Sequence, residues 1–145
     1  MKNRLRLLCL AAMPLAACAE PPATACVPTF TDAVVRVMPV DMPMQAGYVT
    51  VSNPCKTPVS ITRVSSAVWK DVSLHSTRTE NGVSKMRALP ALTLAPGTKV
   101  QMSPGGTHIM LMSPTRKISA GQKVELQFTL GDGRSVRVPF MLKAI

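Results

Sequence analysis

Short segments rich in β-branched and other apolar residues, each ended by turn-forming residues, limit what this chain can fold into more than any other feature. Nine such segments follow one another, from AVVRVM at 33–38 to RSVRVPFML at 134–142. No stretch keeps the 3.6-residue apolar period of a helix over a sufficient length. Because turn signals such as Gly131-Asp132-Gly133 recur between the segments, we predict an all-β fold, an antiparallel Greek-key sandwich or barrel.

The start of the chain has the layout of a secretory signal. MKNRLR supplies positive charge, LLCLAAMPLAA is a short apolar stretch, and small residues follow it. The LAAC stretch at 15–18 resembles a bacterial lipobox, in which Cys18 receives lipid, while Ala17-Cys18-Ala19 also satisfies the rule for ordinary cleavage. We expect residues 1–17 to be a signal peptide and the lipid to anchor the protein to a membrane in the periplasm.

The composition after the signal predicts a tether followed by one domain. Residues 18–32 contain AEPPATACVP, which is rich in proline and poor in packing residues. Residues 33–145 are enough for a single domain of ordinary size. Cys26 and Cys55 both lie in the exported part, and an oxidising compartment favours a disulfide between them. The sequence does not determine their separation in space, so two free thiols remain an alternative.

Charge and aromatic content exclude some classes of function. The net charge of +10 includes Lys2, Arg4 and Arg6 of the signal. The remaining +7 is spread without a run of like charges, which suits an acidic protein partner, a membrane surface or simply a basic solvated surface. Aromatic residues are 3% of the chain and offer no stacking platform, so nucleic acid is not an expected partner. No nucleophile–base or paired-carboxylate motif stands out, so we do not expect an enzyme. We expect a monomer.

The Asn81-Gly82 dipeptide between two alternating segments predicts a β-hairpin with a two-residue type I′ turn. This turn pairs Glu80 with Val83, Thr77 with Met86 and His75 with Ala88. Cross-strand partners share a face of the sheet, as do residues two apart on one strand. We therefore predict that His75 and Met86 are diagonal neighbours on one face, about 7–8 Å apart at the backbone.

A second histidine–methionine couple lies in THIMLM, where His108 and Met110 are two residues apart on one predicted strand. Both side chains then point the same way, with Cα atoms roughly 7 Å apart. If this strand meets the hairpin, two imidazoles and two thioethers converge. A neutral set containing soft thioether sulfur selects Cu(I) over zinc, calcium or magnesium. Because both imidazoles must be neutral to bind, the affinity is expected to fall below about pH 6.

The four residues carry a resemblance to a known family. Their spacing, His75-x10-Met86-x21-His108-x-Met110, resembles the signature of the periplasmic copper chaperone family PCu(A)C, as do the flanking phrases LHSTRTENGVSKMR and SPGGTHIMLM. The likeness extends from about Val34, through VMPVDMPMQAGYVTVSN, to the last strand.

The resemblance implies a cupredoxin-like β-sandwich that holds Cu(I) near its surface through His75, Met86, His108 and Met110. Members of the family pass copper to the CuA centre of cytochrome c oxidase, or help to assemble related terminal oxidases, usually together with a Sco-type copper protein. The partners implied are therefore an apo oxidase subunit with a CuA site and a Sco-type protein.

Two other functions are alternatives to a copper chaperone. A blue-copper electron-transfer protein needs a thiolate beside two histidines, and the predicted histidine strands contain no cysteine. A lipoprotein that binds no metal and acts through its basic surface, as an assembly or interaction module, is the main alternative. Met38, Met42 and Met44 lie in a Pro-rich loop that either packs as an irregular segment or approaches the site as a relay.

Overall fold

The protein folds entirely as β-structure over residues 25–145, the part of the chain that the computed structural model describes. The predicted signal, the lipobox at Cys18 and the first residues of the tether lie outside this part. No helix occurs in the described residues, so none there could cross a membrane. The strands are β1 (Thr29–Val37), β2 (Met44–Ser52), β3 (Val59–Ser65), β4 (Trp69–Glu80), β5 (Val83–Ala88), β6 (Leu92–Leu94), β7 (Lys99–Gln101), β8 (Thr107–Pro114), β9 (Lys123–Leu130) and β10 (Ser135–Ala144). The all-β prediction is confirmed.

The strands form one continuous sheet in the order β5-β4-β8-β2-β1-β10-β9-β3-β6, with β7 paired to β2. The pairing of β1 with β10 is parallel, and the other pairings among the described residues are antiparallel. The sheet is thus mostly antiparallel, with one exception that the sequence did not indicate. Strands β3 and β4 are distant in this order but lie against each other, so the sheet curves round and encloses a core.

Buried and more exposed residues alternate along the strands, and the buried residues form this core. On β9, every second residue is buried, and the partner strand β10 shows the same alternation at Val138, Phe140 and Leu142. Phe128 and Phe140 are fully buried, with ring centroids 6.1 Å apart. Because a strand points successive side chains to opposite faces, the alternate positions lie on the other face of the sheet.

The folded domain begins earlier than the predicted boundary at residue 33. Strand β1 starts at Thr29 and pairs with β2, and Phe30 packs on Phe128 with ring centroids 4.6 Å apart. The predicted disulfide between Cys26 and Cys55 is present, with Cα atoms 5.7 Å apart. The end of the predicted 18–32 tether is therefore part of the domain, because its one aromatic side chain and its cysteine contact distant residues that local composition does not reveal.

Candidate metal centre

The β4–β5 hairpin has the predicted register. Glu80 pairs with Val83, Thr77 with Met86 and His75 with Ala88. Asn81 and Gly82 both have positive φ angles, 52° and 78°, as a type I′ turn requires. His75 and Met86 therefore lie on the same face of adjacent strands.

Strand β8 lies on the other side of β4 and brings the second couple beside the first. His75 pairs directly with His108, and Ser73 pairs with Met110. The two imidazole ring centroids are 5.9 Å apart, and the rings are tilted by 37°. All four predicted ligands thus lie on one face of three neighbouring strands.

The four side chains differ in their exposure to solvent. His108 is only 6% exposed and Met86 is 51% exposed, while His75 and Met110 are half-buried. Met86 belongs to β5, the edge strand of the sheet. Between His108 and the next ligand, Ile109 points into the core and is fully buried. The candidate site is therefore buried at His108 and exposed to solvent at Met86.

A glycine turn determines which nitrogen of His108 is free. The ring Nδ1 lies 3.0 Å from the carbonyl oxygen of Gly106, and a carbonyl oxygen can only accept, so Nδ1 carries the proton. The lone pair is then on Nε2. Gly105 has a positive φ of 77°, and the amide of Gly106 donates to the Ser103 carbonyl, which holds the turn in place. Orientation of a histidine by a backbone carbonyl is typical of metal ligands.

His75 has a buried ring nitrogen without a partner. Its Nε2 lies 3.1 Å from the hydroxyl oxygen of Ser73, whereas its Nδ1 is buried and makes no hydrogen bond to any residue the structure describes. Buried polar atoms are rarely left unsatisfied. A bound metal ion is one group that would satisfy this nitrogen.

The surroundings of His75 lower its pKa below the ordinary value of 6.5. Removal from water is the largest cause, because burial disfavours the charged imidazolium. Proximity to His108 lowers the pKa further, and the carboxylate of Asp71 opposes both effects. The neutral form of His75, which alone can bind a metal, therefore persists to lower pH than in a free histidine.

We expect His75 in the metal-free protein to titrate with a midpoint below 6.5, measured by NMR of the imidazole ring. Between this lowered pKa and 6.5 the unfolded chain binds the proton more readily, so the contribution of His75 to the free energy of unfolding rises with pH and is lost as the pH falls through that window. Asp71→Asn is the matched variant and should lower the midpoint further. A midpoint at or above 6.5 would contradict the assignment of burial as the main cause.

A cavity of about 400 Å³ opens on the same face. Three of the predicted ligands, Met86, His108 and Met110, line it, whereas His75 does not. Met38 and Met42, from the Pro-rich segment between β1 and β2, and Met44, the first residue of β2, line it as well. The structure therefore brings this segment to the predicted site, whereas the sequence left packing and approach as alternatives. Trp69 does not line the cavity; it is 3% exposed and packs in the core.

The donor set fits a soft metal ion. In residues 25–145, no three His, Cys, Asp or Glu side chains come together as a possible metal cluster. Met86, His108 and Met110 share the cavity, and His75 lies beside His108 on the same face. Imidazole and thioether groups carry no charge when they bind a metal and favour Cu(I). Sequence reasoning missed Ser73 and Gly106, which contact the two rings. Ser73 could have been found from its position two residues before His75, but nothing in the sequence indicated the Gly106 carbonyl.

Comparison with solved structures shows the class of protein that this fold and this site define. The copper-bound PCuAC domain from PmoF2 superimposes with a TM-score of 0.68 at 21% identity, over 83% of this chain and 97% of that one. The Cu(I) form of DR1885 from Deinococcus radiodurans gives a TM-score of 0.64 at 26% identity, over 83% of this chain and 79% of that one. The molecule is a cupredoxin-like domain of the PCu(A)C type, as its sequence resemblance predicted.

The chain belongs to the LpqE-like family, described as "Putative lipoprotein LpqE-like", whose sequence model matches residues 29–142. A protein of Leifsonia xyli subsp. xyli (strain CTCB07), named "Putative lipoprotein Lxx21020", is 30% identical over 101 residues. The match spans 69% of this chain and 61% of the length of that relative.

Proposed function

We propose that this protein is a copper chaperone that binds Cu(I) through His75, Met86, His108 and Met110. The observation that carries the proposal is the direct cross-strand pairing of His75 with His108. On the same face, Met86 lies on the neighbouring strand β5 and Met110 lies two residues along β8 from His108. His108 presents a free Nε2, and His75 has a buried nitrogen without a partner. Two neutral imidazoles and two thioethers leave the bound ion with a single positive charge, which suits Cu(I) as a cargo.

Structural neighbours support the choice of metal. One of them is a copper-bound domain and another is a Cu(I) form, and both share the fold of this chain. We propose the same metal for this protein because its own side chains supply a donor set that fits Cu(I).

We further propose that the copper is delivered to the CuA centre of an apo oxidase subunit, or to a related terminal oxidase, with a Sco-type protein as partner. The resemblance of the sequence to the PCu(A)C signature supports this destination. Lipid on Cys18 would hold the protein at the membrane that contains such an oxidase, and the lipoprotein description of the family agrees with an anchor. The net charge of +7 that remains without Lys2, Arg4 and Arg6 of the signal favours an acidic acceptor surface.

Release of the metal follows from the uneven exposure of the ligands. Met86 is half exposed on an edge strand, and its thioether is neutral and exchangeable. An incoming thiolate of an acceptor can therefore replace Met86 first, while the buried His108 still holds the ion. Exchange of one ligand at a time avoids the release of free copper.

Met86→Leu is expected to lower the Cu(I) affinity by about tenfold, because one exposed thioether is lost and Leu preserves the volume of the side chain. The free energy of unfolding should change by less than about 0.5 kcal/mol, as is usual for exposed positions. Competition with a chromogenic Cu(I) chelator measures the affinity, and chemical denaturation measures the stability. Met141→Leu on β10, away from the cavity, is the control. An affinity equal to that of the wild type would remove Met86 from the ligand set.

Delivery is tested with copper-loaded protein and an apo CuA domain, with and without a reductant partner. After the loaded domain is oxidised by one electron with an added oxidant, appearance of the CuA absorption is the expected result. Failure to load the domain under both conditions would reject the proposed destination. The alternative of a metal-free interaction module predicts instead that His75→Ala and Met110→Ala leave function intact while reversal of surface charges abolishes it.

A further inference from the structure

Three methionines outside the proposed ligand set are exposed on the surface of the domain. Met38, Met42 and Met44 are 48%, 40% and 43% exposed, whereas Met102, a packing residue, is 4% exposed. A methionine that fills a core is shielded from water, so packing in the core does not account for these three. All three line the cavity of about 400 Å³ that is also lined by His108.

The position of Met44 shows how close this group lies to the proposed site. On β2, Met44 pairs with Met112 and Ala46 pairs with Met110. Met44 is thus the diagonal neighbour of Met110 on the same face, about 7–8 Å away at the backbone. The long, flexible side chains of two methionines can span this separation.

Hydrogen bonds hold the end of the segment that carries Met42 and Met44. The indole Nε1 of Trp69 donates to Oε1 of Gln45, and Nε2 of Gln45 donates to the carbonyl of Met42, both at 2.7 Å. The carbonyl of Pro43 accepts from the amide of Ser113 at 2.7 Å. The backbone around Met42 and Met44 is therefore held before any ligand binds, so fewer groups need to be ordered on binding there, which lowers the entropic cost.

The chemistry of the cavity favours a soft cation and also limits its affinity. Thioether sulfur binds Cu(I) and its analogue Ag(I) but is a poor ligand for hard divalent ions. Arg36 also lines the cavity, with its guanidinium 5.3 Å from the centre of the Tyr48 ring. This fixed positive charge repels a bound cation. A site made of these three thioethers should therefore be weaker than the histidine–methionine site.

We infer that Met38, Met42 and Met44 form a second, weaker Cu(I) site, from which copper passes to and from Met110 and His108. The inference rests on the proposed function, because it gives the second site the role of loading and unloading the first. Since no histidine belongs to the thioether site, its occupancy should not depend on pH between about 5 and 8. Copper remains Cu(I) in this step and exchanges one neutral ligand for another.

The test uses the exported chain with ¹³C-labelled methionine methyl groups, to which Ag(I) is added stepwise while methyl NMR shifts are recorded. The first equivalent should shift the methyls of Met86 and Met110, and the second those of Met38, Met42 and Met44. The second equivalent should bind about tenfold or more weakly. The triple variant M38L/M42L/M44L should keep the first equivalent and lose the second, with Met141→Leu as the control that keeps both.

Two results would overturn the inference. In the first, the second equivalent fails to bind or leaves the methyls of Met38, Met42 and Met44 unshifted. In the second, the triple variant retains the second equivalent although a cooperative denaturation curve shows that it is folded. His108→Ala separates this inference from the proposed function, because it should weaken the histidine–methionine site, seen at the methyls of Met86 and Met110, and leave the thioether site unchanged. If His108→Ala leaves the first equivalent unchanged while the triple variant abolishes the second, the proposed ligand set fails and the thioether site stands.

Discussion

His108→Ala is expected to lower the Cu(I) affinity by about 100-fold or more, equivalent to roughly 2.7 kcal/mol of binding free energy. Loss of even an outer-shell partner of a metal site costs about 10- to 100-fold, and His108 is proposed as a direct ligand. His108 is also the most preorganised of the proposed ligands, since it is only 6% exposed and its Nδ1–H donates to the Gly106 carbonyl. The substitution removes a nitrogen whose orientation is already determined in the metal-free protein.

Competition with a chromogenic Cu(I) chelator measures this loss. Met112→Leu is the matched control, because Met112 lies on β8 two residues beyond Met110 and on the same face but is not a proposed ligand. Its affinity should stay within about twofold of the wild type, since Met and Leu differ little in volume. Equal affinities for His108→Ala and Met112→Leu would show that the histidine–methionine face does not bind the metal.

Removal of the disulfide by the double substitution Cys26→Ala and Cys55→Ala is expected to lower the free energy of unfolding by roughly 3–4 kcal/mol. The two cysteines are 29 residues apart in sequence, and a cross-link that closes a loop of this length restricts the unfolded chain. In the folded state it holds the residues before β1 to the loop after β2. That loop also depends on Asn53, whose side-chain oxygen accepts from the amide of Cys55.

Urea denaturation of the double variant and of the wild type measures the difference. The Cu(I) affinity should be unchanged, because neither cysteine lines the cavity of the methionines. Wild-type protein treated with a thiol reductant serves as the control and should reproduce the loss of stability. A loss smaller than about 1 kcal/mol would mean that the unfolded chain gains little freedom when the bond is absent.

Much of the fold could be predicted because each strand is indicated by a pattern of residues that are close together in sequence. The alternating segments coincide with nine of the strands, and the Asn81-Gly82 turn gives the register of β4 with β5, as found. Strand β6 (Leu92–Leu94) was not predicted, because it is three residues long and lies between Pro90 and Pro96. The equally short β7 lies within the longer predicted segment TKVQMS. The start of β1 was missed for a related reason, since TFTD has little apolar pattern and is held by pairing with β2 and by Phe30. The parallel pairing of β1 with β10 joins opposite ends of the domain, which no local signal reports.

The sequence by itself determined the composition of the candidate site and half of its geometry. Turn chemistry and the two-residue alternation of strands place His75 with Met86, and His108 with Met110, because these constraints act over a few residues of backbone. Only the tertiary structure decided that β4 pairs with β8 so that His75 lies opposite His108, that the Gly106 carbonyl frees Nε2, and that the segment of Met38, Met42 and Met44 reaches the same cavity. Those outcomes depend on how the whole set of apolar side chains packs into one core, and that packing is a property of all the strands together.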